Sequence, residues 1–407
     1  MSSSASPRPA PRVVVTGGSA AYEIRDFLTR ASVPFTYLDD QGPPGVAVCT
    51  FDGDRCLTAP SLQDVARELG LLAAPTREHY DLGIVGAGPA GLAAAVYGAS
   101  EGLAVVVVDE GAPGGQAGTS SRIENYLGFP EGIAGAELAA RARAQALKFG
   151  AEILLLRTVV DGRKEDGRFV ATLSDGSPVS VSAVLVATGV DWRRLEVEGV
   201  DRLLHAGVYY GAAASEAPGV AGKDVFIVGG GNSAGQAAMH FAAWARSVTI
   251  VVRGTGLAAS MSRYLTQRIE EAPNVTVCTC TEVAGVHGDD WLRELTLRDA
   301  TTGGQRTVAA HAVFICIGGH PRTGSTRDED VLTDGQGYVV TGRDLYDHGL
   351  SRHDPRWATR EPYPLETSQP GMFAAGDVRH GSTKRVSAAV GEGAMAVPLV
   401  HRYLADR

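Results

Sequence analysis

Two glycine-rich loops, each set between an apolar run and an Ala-rich run, constrain this chain more than anything else in it. The first reads Gly86-Ala87-Gly88-Pro89-Ala90-Gly91 after Leu82–Val85. The second reads Gly229-Gly230-Gly231-Asn232-Ser233-Ala234 after Val225–Val228. A strand that turns through bare glycines into a helix is the arrangement that binds dinucleotides. Glycine lets backbone amides approach a pyrophosphate, and the helix N-terminus adds partial positive charge. Two such units predict two dinucleotide sites. In each, the next strand should end at the residue that reads the ribose. A step of 22 residues from Gly88 reaches Glu110, past Val105–Val108 and beside Asp109; the same step from Gly231 reaches Arg253, past Val248–Val252. A carboxylate suits a ribose 2′-hydroxyl and an arginine suits a 2′-phosphate. The first site is therefore expected to hold FAD, through Glu110 with Asp109, and the second NADPH, with NADH as the alternative.

The remaining composition narrows the class. At 407 residues the chain is long enough for two or three domains with sizeable cores, and 44% hydrophobic with 20% charged residues is ordinary for a globular protein. A net charge of −9 argues against nucleic acid or an anionic membrane as a general partner. No run is long enough for a transmembrane helix. Residues 1–11 are Ser/Pro-rich with no apolar core of a signal peptide, so a disordered tail and a cytoplasmic location are expected. Five cysteines are an odd number without extracellular spacing. Cys278 and Cys280, within the β-like run Val275–Thr281, would face one side of a strand. They are read either as a redox pair or as two small hydrophobes. Two thiols do not complete a zinc site, no other cluster has ligand spacing, and no metal is expected.

Residues 12–77 follow the order β-α-β-β-β-α. Val13–Val15, Phe35–Leu38 and Val46–Phe51 read as strands, Asp52-Gly53 as a hairpin turn, and Ser61 as a helix start. Ile24, Phe27 and Leu28 make a helical stripe. This order resembles a truncated thioredoxin or glutaredoxin domain, with Pro44 resembling its cis-proline. The stretch after the first strand, Thr16-Gly17-Gly18-Ser19-Ala20, lacks the Cys-x-x-Cys of such domains. The segment is therefore expected to be redox-dead and separable from the cofactor sites.

Over roughly residues 79–405 the chain resembles the low-molecular-weight thioredoxin reductases, class II of the pyridine nucleotide-disulfide oxidoreductases. The motifs that carry the resemblance are Gly86-x-Gly88-x-x-Gly91, Gly114-Gly115-Gln116, Ala187-Thr188-Gly189, Gly229-Gly230-Gly231-x-Ser233-Ala234 and Phe373-Ala374-Ala375-Gly376-Asp377. The resemblance implies an α/β chain of two Rossmann-like, three-layer ββα dinucleotide-binding domains after the small N-terminal one. The FAD-binding domain would be discontinuous, 79–200 and 320–407, with the NAD(P)H-binding domain, 205–319, inserted. It also implies a homodimer. By the same resemblance the FAD site takes in Gly86, Gly88, Pro89, Ala90, Gly115, Gln116, Asn125, Ala187, Thr188 and Gly189, with Gly376 and Asp377 on the ribityl chain. Lys384, Arg385 and Val386 lie at the flavin pyrimidine edge, Val386 through its amide. The nicotinamide nucleotide site takes in Gly229, Gly231, Asn232, Ser233, Ala234, Arg253, Ile317 and Gly318.

Three departures from the family pattern matter. Where the family carries its redox Cys-x-x-Cys, after Gly207-Val208-Tyr209-Tyr210, this chain has Gly211-Ala212-Ala213-Ala214. Only Arg253 survives of the family's arginine-rich NADPH signature, with Arg263 as a substitute downstream, and Gln236 stands in place of a glutamate. The sequence therefore predicts an FAD-dependent NAD(P)H oxidoreductase that passes electrons from the flavin directly to an external acceptor: a ferredoxin-like protein, oxygen, a quinone or a small metabolite. Tyr209 and Tyr210 are candidate walls of the acceptor pocket, with plain packing as the other reading. Two further functions stay open: a disulfide reductase using non-standard cysteines, and a non-catalytic flavin or nucleotide sensor.

Overall fold

The computed structural model describes residues 12–38, 45–120, 123, 126–204, 206–212, 217–324 and 331–406. The expectations for residues 1–11, Pro44, Asn125 and Ala213-Ala214 lie outside these. The chain opens with β1 (Val13–Thr16), α1 (Tyr22–Arg30), β2 (Phe35–Leu38), β3 (Val48–Phe51), β4 (Arg55–Thr58) and α2 (Leu62–Glu68). The four strands form a sheet in the order β2-β1-β3-β4, with β1 parallel to β2 and antiparallel to β3. Asp52 and Gly53 both take positive φ (53° and 83°) where β3 turns into β4, a turn conformation that Asp and Gly tolerate. Ser61 and Asp64 cap α2 reciprocally. Ile24, Phe27 and Leu28 bury the inner face of α1.

The next elements are β5 (Tyr80–Val85), α3 (Pro89–Ser100), β6 (Val105–Asp109), α4 (Gly115–Gly118), α5 (Gly135–Lys148), β7 (Glu152–Leu155), β8 (Val159–Glu165), β9 (Arg168–Leu173) and β10 (Pro178–Val186). They make a sheet in the order β7-β6-β5-β10-β9-β8. The strands β7, β6, β5 and β10 run parallel, and β8-β9-β10 is an antiparallel meander that grows out of β10. The parallel strands are covered on both faces, which is why β6 is a continuous valine run. Val105 and Val107 pack with α3 and α5; Val106 and Val108 pack with Phe169, Leu173 and Val179 of the meander.

The chain continues through β11 (Val190–Trp192), β12 (Val208–Tyr210), β13 (Asp224–Val228), α6 (Asn232–Ala242), β14 (Ser247–Val251), α7 (Arg263–Glu271), β15 (Val275–Cys278), β16 (Thr281–Gly288), β17 (Leu292–Asp299), β18 (Gln305–Ala309), β19 (Ala312–Ile315) and β20 (Gly319–Pro321). A five-stranded parallel sheet runs β12-β19-β13-β14-β15, and β16-β17-β18 form a separate three-stranded sheet. The alternation of β13 divides it between two cores: Val225 and Ile227 meet Phe241 and Leu265 of the helices, while Phe226 and Val228 meet Leu295 and Leu297 of the small sheet. Both parallel sheets thus have the three-layer ββα build. The antiparallel pair β11-β20 carries the chain out and back. Finally β21 (Met372–Ala374) pairs with the end of β10, and α8 (Val386–Ala405) packs on α3. No helix among the described residues is long and apolar enough to cross a membrane.

One expectation about the cysteines fails. β15 stops at Cys278, and Cys280 sits in the following turn at φ 48°, so the two thiols do not share a strand face. Arg306 donates to the Cys278 sulfur at 3.5 Å.

Candidate active site

Both glycine loops open on one cavity of about 1120 Å³. Its first wall is the turn between β5 and α3, with Gly86, Gly88, Pro89 and Ala90. Gly86 turns at φ 107°, and a Cβ there would collide with the Ala187 carbonyl oxygen, so only glycine fits. Gly88 caps α3 without a side chain, leaving the first-turn amides of that helix available to a ligand. Gly115 brings a second bare backbone against Gly88: a Cβ on Gly115 would come within 3.1 Å of the Gly88 Cα. This cradle of exposed amides between two chain segments without side chains fits a pyrophosphate.

The residues expected to serve the flavin nucleotide mostly gather here. Gly115, Gln116, Ala187, Thr188, Gly189, Gly376, Asp377, Lys384, Arg385 and Val386 all line the cavity. Gln116 donates to the Val190 carbonyl, and the Thr188 hydroxyl to the Arg322 carbonyl at 2.6 Å. Arg385 is the N-cap of α8 with no side-chain cap, which leaves the start of that helix, at Val386, facing the cavity. Lys384 donates to the Asp377 carbonyl at 2.5 Å and lies over the Tyr338 ring. Burial pushes its ammonium below the ordinary lysine range and pushes the Asp377 carboxyl up.

The two acids after β6 separate in role. Asp109 is partly buried, lines the cavity, and accepts from Ala87 N at 2.5 Å and Gly111 N at 2.8 Å, so its carboxylate holds the glycine loop in place. Burial raises its pKa despite those donors. Glu110 faces the cavity with its side chain half exposed and pairs with Arg322, which also meets Asp191 at 3.0 Å.

The second loop and α6 contribute Asn232, Ser233 and Gln236 to the same cavity, and Ile317 and Gly318 join them from the segment after β19. Gly229, at φ 139°, allows close approach to the Cys316 carbonyl oxygen, and Gly231 caps α6 without a side chain. Neither of them lines the cavity wall, and Ala234 is fully buried in the sheet–helix core. Arg253 is exposed just past β14, apart from the cavity and open to a phosphate arriving from solvent.

Tyr209 and Tyr210 are placed otherwise than expected of pocket walls. Tyr209 is 3% exposed and stacks on Phe314 at 5.1 Å, and the Tyr210 hydroxyl accepts from Leu195 N at 2.7 Å; neither reaches the cavity. The crossing segment meets the cavity instead through Gly211 and Ala212.

Sequence reasoning missed three contributors. Arg322 is the partner of Glu110. Glu392, on α8, accepts from Gly376 N at 2.7 Å and is paired with Arg379 at 2.6 Å, fixing the turn that presents Asp377. Arg30, from the N-terminal sheet, also lines the cavity. The position of Glu392, one α8 turn and a half beyond Val386, was a usable signal; nothing in the sequence linked Arg30 to a loop more than eighty residues away.

The pyridine nucleotide-disulphide oxidoreductase family model matches residues 80–393. The thioredoxin reductase of Treponema pallidum is 33% identical over 325 residues, covering 80% of this chain and 97% of that protein. The thioredoxin reductase of Mycolicibacterium smegmatis is 32% identical over 329 residues, 81% of this chain and 97% of that protein. Among solved structures, the thioredoxin reductase of T. acidophilum superposes with a TM-score of 0.70 at 30% identity, covering 80% of this chain and 99% of that one. The family uses FAD and NADPH, and the cradle described above has the glycines, free amides and charges such nucleotides need. The chain therefore belongs to the pyridine nucleotide-disulphide oxidoreductases, as a thioredoxin reductase-like flavoprotein enzyme.

Proposed function

We propose that this enzyme takes hydride from NADPH and delivers the electrons from its flavin directly to an external acceptor, without a dithiol of its own. The observation that supports this most is the cavity wall at Gly211-Ala212, the start of the crossing segment 211–214, which contains no sulfur. All five cysteines are free thiols. Only Cys316 borders the cavity, and burial pushes its thiol up to about 12, so it stays protonated at neutral pH and is a poor nucleophile toward a disulfide. Cys278 and Cys280 sit at the far edge of the second sheet, beyond β14.

The bound FAD supplies the chemistry of accepting hydride and releasing electrons singly or in pairs. The chain's own groups bind and orient. The α3 and α6 N-termini receive the two pyrophosphates, and Lys384 with the Val386 amide places positive potential on one wall of the shared cavity. Arg253 reads the 2′-phosphate, and the small side chains at 211–212 leave room for an acceptor. The names of the relatives, both thioredoxin reductases, favour a second reading in which the acceptor is a disulfide. Steady-state NADPH oxidation separates the two. Turnover is followed with a disulfide substrate and, separately, with a one-electron dye, in the wild type and in a variant with all five cysteines changed to serine. Dye reduction within a few-fold in both proteins, and no disulfide-dependent turnover in either, is expected. Disulfide turnover that vanishes in the cysteine-free variant while dye reduction survives overturns the proposal.

A further inference from the structure

Helix α1 of the N-terminal sheet has its two ends on two different nucleotide-binding units. At its C-terminal end the Arg30 guanidinium spans the turn between β6 and α4. Its Nη2 donates to the Ala112 carbonyl at 2.8 Å and the Gly115 carbonyl at 3.0 Å, and Nε donates to the Pro113 carbonyl at 3.4 Å. The remaining nitrogen pairs with Asp26 one turn earlier, at 3.2 Å, which fixes the fork. The turn it holds contains Gly114 and Gly115 at φ 101° and 51°, a backbone that only glycine adopts readily. Gly118 lies against the same guanidinium, since a Cβ there would be 3.1 Å from Arg30 Nε. The Arg30 side chain is 15% exposed, and the surface it keeps open belongs to the cofactor cavity. At the N-terminal end, Tyr22 packs on the core of the second parallel sheet, its ring 5.5 Å from that of Tyr209. Tyr209 is two residues before the Gly211-Ala212 wall. Nine residues of helix, about 12 Å of rise, thus connect the flavin-site turn to the strand that leads into the crossing segment.

We infer that the N-terminal segment is a working part of the cofactor site. Arg30 is a positioning residue that sets the Gly114-Gly115-Gln116 turn along the flavin, and Tyr22 holds the second sheet in register with it. The segment has no redox pair, so its contribution is geometric: it replaces conformational freedom between the two nucleotide sites with one fixed arrangement. These contacts argue against the separability of residues 12–77 expected from sequence. The inference rests on FAD occupying this cavity.

The test uses the full-length, FAD-loaded protein and three variants: Arg30→Met, which removes the donors, Arg30→Lys, which keeps the charge but loses the fork, and Tyr22→Ala. The readouts are the rate of FAD dissociation, the visible circular dichroism of the bound flavin and the single-turnover rate of flavin reduction by NADPH. Loss of charged hydrogen bonds predicts FAD dissociation about ten- to a hundredfold faster in Arg30→Met, with an altered flavin dichroism. Arg30→Lys should recover only part of either. Tyr22→Ala should keep its FAD and the wild-type dichroism but reduce the flavin at least a few-fold more slowly at saturating NADPH. Wild-type dissociation and dichroism in both Arg30 variants overturn the inference; if Arg30→Met does not accumulate as folded protein, Arg30→Lys alone decides, by the same two readouts. A wild type that carries no FAD after reconstitution refutes the cofactor assignment itself, a distinguishable failure.

Discussion

The two glycine loops have the same motif and the same spacing, yet their surroundings differ. The first is pinned from all sides. Asp109 holds Ala87 and Gly111, Glu392 holds Gly376 from α8, and Arg30 holds the Ala112–Gly115 turn from α1. The second has lighter support: Ser260 donates to the Gly230 carbonyl, Asn232 accepts from Ser262 N, and Arg253 projects into solvent. Pre-organised walls lower the ordering cost of binding and slow dissociation, whereas an open rim allows exchange. The contrast teaches that two loops with one fingerprint can differ in the second layer of contacts, and it is this layer that would make one site hold its nucleotide and the other exchange it.

The largest effect that bears on this contrast should come from Glu392→Ala. It strips the Arg379 guanidinium and the Gly376 amide of their shared partner, in a pair whose Arg379 and Glu392 side chains are only 17% and 12% exposed. Removing one member of a largely buried charged pair costs about 2–4 kcal/mol, and FAD affinity should fall at least tenfold. NADPH affinity should hardly change. Titration with both nucleotides checks this, and equal losses at the two sites would erase the distinction drawn here. Arg253→Ala comes next. One charge-assisted contact is worth about 1.5–3 kcal/mol, so the ratio of kcat/KM for NADPH over NADH should drop by about one to two decades while FAD content stays at one per chain.

Replacing Cys316 alone by Ser should have a smaller effect, a few-fold or less on NADPH-to-dye turnover, because a buried neutral thiol contributes packing and not charge. The smallest effect is a pH dependence confined to the second sheet. The Arg246 hydrogen bond, helped by Ser247 and opposed by burial, holds the Asp224 carboxyl below its ordinary 3.8. A depressed folded pKa adds stability that is complete above the unfolded pKa and is lost as pH falls through the folded one. Asp224→Asn should therefore lower Tm slightly at pH 7 and remove part of the decline as pH falls below the ordinary carboxylate range, as differential scanning calorimetry would show. An identical acid decline in both proteins would assign it to other carboxylates.

What the sequence made legible was what is encoded locally. Strand, glycine turn and helix follow one another within a dozen residues, so both nucleotide-binding units, and the residues of their first turns, could be read directly. Errors arose where a local pattern had two structural outcomes. Cys278-x-Cys280 has a strand's period, but Cys280 takes a left-handed turn conformation instead. Tyr209 stands beside the expected acceptor wall, yet its face of β12 points into the helix-side core. Arg30 and Arg322 were beyond reach because each acts on a segment that the chain brings near only through tertiary packing.

The pairing of β10 with β21 carries a consequence for how the protein is made. Val184 pairs with Met372, and the whole second parallel sheet, from β12 to β19, lies between them in the chain. A ribosome therefore finishes the second sheet long before it supplies the strand that completes the first. Because compact units fold as they emerge, the second glycine loop and its sheet can form on the growing chain, while Gly376, Glu392 and the start of α8 arrive last. The cavity at the first glycine loop is thus completed only at the end of synthesis. A chain cut short before residue 372 would carry a finished second sheet and lack the wall of the cavity that Gly376, Asp377 and Val386 provide.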